Sequence, residues 1–141
     1  MTSPAQRGVE TRRLYCFESI FAKELPFYVR RARSKWFLEE LLRQVWIKHG
    51  RKGVKTPRLT FGEGTPHAGH RSSFADRYSH IELVPGDRNV MILLHEITHT
   101  LGFGAPHGRG FARKYVDLLV EYGRCDEGEL NLAFALFKVK S

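Results

Sequence analysis

Residues 95–99 read His95-Glu96-Ile97-Thr98-His99, and no other run limits so sharply what this chain can fold into. Two residues four apart on an α-helix differ by only about 40° around its axis, so both imidazoles face one way and can reach one metal ion. The geometry suits zinc. Glu96 stands off the line of the histidines but close enough to touch a water on such an ion, which makes it the candidate general base of a metal-assisted hydrolysis. With 7 His in 141 residues, chance supplies only about 0.03 occurrences of the H-E-x-x-H pattern.

The flanking residues predict the helix that the motif needs. Over 87–101, Val90, Leu93, Leu94, Ile97 and Leu101 recur at helical spacing, with His95, Glu96 and His99 beside that stripe. Asp87, after Pro85-Gly86, reads as the N-cap and Gly102 as the stop. The plainer alternative makes both histidines polar border residues of a core helix, with Glu96 solvated.

A catalytic zinc usually takes three protein ligands and leaves one position for water. A metzincin would place the third His at position 105, where this chain has Ala105. His107 is the nearest candidate, in the glycine-rich stretch 102–111, which can turn back on itself. A helix follows, with Phe111, Tyr115, Leu118, Leu119 and Tyr122 on one face and Gly123 at its end. Asp117 or Glu121 on that helix are rival third ligands, and an exposed His107 without a ligand role is the bland reading.

The rest of the chain reads as α+β. Residues 1–11 suggest a flexible tail, and Leu14, Phe17, Phe21 and Leu25 a first helix closed by Pro26. A helix over about 34–49 carries Phe37, Leu38, Leu41, Leu42, Val45 and Trp46 on its core face and ends at Gly50, so its aromatics read as core. Residues 57–62 and 78–84 alternate as strands with Leu59, Phe61, Ile81 and Leu83 inward, and a short strand near 72–76 is a further candidate. Asp126-Glu127-Gly128-Glu129 opens a terminal helix. The expected plan is a small mixed or antiparallel sheet of about three strands packed on helices.

Two further sets of candidate residues lie around the strands. The loop 62–71 holds His67 and His70, candidates for a second metal or for substrate, though solvated histidines explain them as well. If 78–84 is an edge strand, a peptide can add to it, and Tyr78 or His80 can hydrogen-bond the oxyanion of the transition state. Tyr78 is the candidate catalytic residue of that strand, or a structural residue at its start.

Composition narrows the class. A chain that is 42% hydrophobic suits one domain, here 12–141, behind the tail. Cys16 and Cys125 are far apart in sequence and read as reduced thiols, neither a disulfide framework nor a second zinc site. No apolar run suggests a signal peptide or a membrane span, so the expectation is a cytoplasmic monomer. The net charge of +8 is concentrated over 30–58, where a basic face can attract nucleic acid or an acidic protein. A merely solvated basic surface explains it too, since the aromatics there read as buried, not as stacking platforms.

The order H-E-x-x-H, short loop, His107-Gly108-Arg109-Gly110-Phe111, amphipathic helix resembles the SprT-like zinc metallopeptidases. It resembles more closely a family of small HExxH-containing metal-dependent hydrolases of bacteria and phages. The likeness runs over most of 12–138, including Arg13-Leu14-Tyr15-Cys16-Phe17-Glu18, the basic stretch before the long helix and the Tyr78 strand. It implies a zincin-like fold with HExxH on a central helix, one zinc held by His95, His99 and His107, and Glu96 as catalytic acid/base acting on a protein or peptide substrate. SprT-like proteins often add a cysteine-rich zinc ribbon; this chain has only two cysteines, a departure that puts the DNA-targeting role of those relatives in doubt. The contrasting expectation is a non-catalytic, basic nucleic-acid-binding module braced by a structural metal.

Overall fold

The computed structural model describes residues 26–63, 65–67, 70–72, 74–76, 80–101 and 109–136. The expected tail and first helix, and with them Cys16, lie outside the described residues. The fold is α+β, in the order α1 (Phe27–Arg30), α2 (Lys35–His49), β1 (Arg58–Phe61), β2 (Thr65–His67), β3 (His70–Ser72), β4 (Phe74–Asp76), β5 (His80–Leu83), α3 (Val90–Thr100), α4 (Arg109–Gly123) and α5 (Glu127–Leu136). Among the described residues no helix is long and apolar enough to cross a membrane. The chain divides into two compact units, one of them Arg31–Gly102.

That unit begins with α2, whose first free amides are met by Ser34: its hydroxyl accepts from the Phe37 amide at 3.1 Å. Leu38, Leu42, Val45 and Trp46 are buried. The Trp46 indole donates to the Val54 carbonyl at 3.0 Å, which holds the loop after the helix against the helix end. Gly50 follows so closely that a Cβ there would overlap the Trp46 carbonyl oxygen and lie 2.7 Å from its indole ring. The expected core role of the helix's aromatics holds for Trp46, whereas Phe37 is half-buried. Trp36, however, is 72% exposed.

The main sheet has the order β1-β5-β4. β1 runs parallel to β5, pairing Arg58 with His80 through Phe61 with Leu83, and β4 runs antiparallel to it, pairing Phe74 with Glu82 and Asp76 with His80. Strand alternation puts Ile81 and Leu83 in the core, fully buried, while His80 and Glu82 on the other face are half-buried. β5 is therefore the middle strand, with hydrogen-bonded neighbours on both sides, and not the peptide-accepting edge that its sequence position suggested. The open edges of this sheet are β1 and β4.

Within the stretch expected to be a loop over 62–71, the described residues instead form an antiparallel pair, β2 with β3, in register His67 with His70. Strands of three residues are too short to show a period of two, so the sequence pattern had nothing to display. Beyond the sheet, α3 packs on β4 and β5 and also on α2.

The other described helices, α1, α4 and α5, belong to the second unit. Phe111, Tyr115, Leu118 and Leu119 are buried along α4 as their spacing predicts. α5 packs on α4, and its start is capped by Asp126, whose carboxylate accepts from the Glu129 amide at 2.9 Å. Gly123 permits a close crossing, since a Cβ there would stand 2.8 Å from the buried Val29 side chain.

Candidate metal centre

The motif helix α3 starts two residues later than the sequence suggested. Pro85-Gly86 forms a tight turn closed by the Asp87 amide on the Val84 carbonyl at 2.9 Å, which leaves Asp87 outside the helix. Asn89 is the N-cap instead, its side chain accepting from the Ile92 amide at 2.9 Å. Leu101 is the C-cap, and Gly102 lies outside the described residues. Val90, Leu93, Leu94 and Ile97 are fully buried, and the buried hydroxyls of Thr98 and Thr100 donate to the carbonyls of Leu94 and Ile97 at 2.7 and 2.6 Å. The helix has no exposed position.

On this frame His95 is 2% and Glu96 7% exposed, with His99 half-buried. The Nε2 atoms of His95 and His99 are 3.2 Å apart, their rings inclined at 55° with centroids 5.0 Å apart. Glu96 Oε1 lies 3.9 Å from His95 Nε2, and ligand atoms of all three side chains fall within 4.8 Å of one another. Burial, with the neighbouring His95 adding to it, pushes the His99 imidazole from its usual 6.5 down to about 3. At neutral pH His99 therefore keeps the uncharged ring whose lone pair a metal requires.

The donor set fits a zinc ion. Two nitrogens each about 2.1 Å from a tetrahedral ion stand about 3.4 Å apart, close to the 3.2 Å between the two Nε2 atoms. Without a metal, the same spacing lets one neutral ring donate its N–H to the other, so a metal would take the place of that shared proton.

His107 and Tyr78 lie outside the described residues. Asp117 and Glu121, the rival ligands, are exposed on α4. His80 is engaged on β5: its Nε2 lies 2.6 Å from Thr60 Oγ1, and the same hydroxyl donates to Glu82 Oε1 at 3.1 Å. This Thr60-His80-Glu82 group escaped the sequence reading. The alternation of polar His80 and Glu82 with Ile81 and Leu83 carried a signal for it, but the partner strand was unknown.

The chain matches no protein-family model, no curated protein and no solved structure.

Proposed function

We propose that the chain is a zinc-dependent hydrolase, in the first place a peptidase of zincin-like build, with zinc held by His95, His99 and His107. The observation that carries this reading is the 3.2 Å approach of the His95 and His99 Nε2 atoms with the Glu96 carboxylate beside them. The resemblance to the SprT-like peptidases and their smaller relatives supports it, and supplies His107, which spacing alone leaves in competition with Asp117 and Glu121.

Zinc held there would supply Lewis acidity towards a water and a substrate carbonyl. Glu96 takes the proton of the attacking water and returns it to the leaving amine as the C–N bond breaks. Tyr78 donates a hydrogen bond to the oxygen of the tetrahedral species. A peptide substrate aligns along β4, the open strand edge that also packs on α3. The enzyme acts as a cytoplasmic monomer, a placement that rests on the sequence.

Elemental analysis of purified wild type and His107→Ala tests the reading. About one zinc per wild-type chain and clear loss in the variant are expected. A wild type without stoichiometric metal, even after zinc is supplied, overturns it.

A further inference from the structure

Between Glu40 and Glu63 the chain has no carboxylate and six cations: Arg43, Lys48, Arg51, Lys52, Lys55 and Arg58. All six are exposed. Arg43 and Lys48 stand on α2, and the Trp46–Val54 hydrogen bond holds the loop that carries Arg51 and Lys52 to the end of that helix.

The outer side of α2 also displays apolar groups that the core does not use. Trp36 is 72% and Ile47 71% exposed. Eleven residues apart, they lie within about 20° of each other around the axis and about 16 Å apart along it. More cations flank the Trp36 end. Lys35 Nζ and Arg88 Cζ lie 5.4 and 5.2 Å from the centre of the Phe61 ring, and the first turn of α2 has no acidic residue. Glu39 and Glu40 follow further along the helix: Glu40 is ion-paired with Arg43, and Glu39 is exposed beside it. A groove of about 290 Å³ opens on the same unit, lined by Leu42, Thr56, Pro57 and Leu59 with Glu39 and Arg43.

A solvated basic surface has no need of an exposed indole, and an apolar docking patch has no need of six cations. Together they match a polyanion that offers flat apolar faces, which is the chemistry of an unpaired nucleic-acid strand. A duplex hides those faces by stacking, and an acidic protein segment has none at regular spacing. We propose that the outer face of α2 and the loop after it bind single-stranded nucleic acid, with phosphates on Lys48, Arg51, Lys52 and Lys55 and a base stacked on Trp36. This goes beyond the metal-centre reading and does not depend on it.

The two tryptophans make the test local. Trp46 is buried and hydrogen-bonded, so fluorescence from a solvent-exposed indole reports Trp36. Titrating the full chain with an oligothymidylate at low salt should quench that emission. Affinity should fall with salt at a log–log slope of roughly −3 for four phosphate contacts. Trp36→Ala should weaken binding about tenfold, while Trp36→Phe keeps the affinity, measured by anisotropy of a labelled strand. Lys52→Glu with Lys55→Glu should lower both the affinity and the salt slope. No binding at low salt, unaltered affinity in Trp36→Ala, or equal binding of duplex DNA, polyglutamate or phosphatidylserine vesicles would each overturn the proposal. Zinc content does not enter these readouts, so the two readings fail separately.

Discussion

The Asn89 side chain accepts a hydrogen bond from the Ile92 amide at 2.9 Å, and this contact, rather than one from Asp87, begins the helix that carries His95, Glu96 and His99. Asn89 is itself buried and the bond part-buried, so water replaces the cap only in part once it is removed. Asn89→Ala should therefore cost about 1–2 kcal/mol. Asn89→Asp should retain most of the stability and Asp87→Ala should cost less, all read from denaturant midpoints. Equal losses for Asn89→Ala and Asp87→Ala would contradict this assignment of the cap.

Glu96 separates chemistry from metal binding. Glu96→Gln preserves size and hydrogen-bonding capacity while removing the base, so hydrolysis of an unstructured protein such as casein should drop by about a hundredfold or more. Zinc content and thermal midpoint should stay close to wild type. Activity that survives the substitution would remove Glu96 from the mechanism.

The depressed His99 pKa gives the metal-stripped protein a defined acid response. Between about 3 in the folded chain and the usual 6.5, the unfolded chain binds more protons at this residue. The contribution of neutral His99 is thus full above about pH 6.5 and is lost as pH falls towards about 3. Denaturant titrations of the stripped protein at a series of pH values should show this loss. His99→Gln should flatten the profile through that window, and an identical profile in the variant would refute the assignment.

Gly50 is held by contact rather than by its backbone angles, which at φ −61° and ψ 155° suit any residue. A Cβ would strike the Trp46 carbonyl and indole, so Gly50→Ala should destabilise by about 1–3 kcal/mol through overpacking. Gly86, with no atom within 4 Å of its Cβ position, is the control, and Gly86→Ala should be close to neutral. Thermal denaturation of the two variants decides between steric and conformational causes.

The parts of the molecule that were legible in the sequence are those with long periods. α2 and α3 declared themselves through repeated apolar residues at helical spacing, and α4 likewise from Phe111 to Leu119. The pairing of His95 with His99 followed from helix geometry alone. The order of strands did not, because β5 sits between β1 and β4 through non-local pairing that nothing in residues 80–83 encodes. Thr60 and Glu82 stayed hidden for the same reason: their neighbourhood exists only once the parallel register is set. The exposure of Trp36 was missed because an aromatic beside an apolar stripe is ordinarily counted with it.

A helix without an exposed side has no silent positions. Along α3 the residues that hold the core and those proposed for chemistry alternate within three turns, all buried or half-buried, so a saturation scan should find nearly every substitution harmful. Soluble yield will then sort the positions: changes at Leu93, Leu94 or Ile97 should deplete the protein itself, whereas Glu96 should give well-expressed, inert molecules. That contrast makes the helix its own internal standard for telling a damaged scaffold from a silenced reaction.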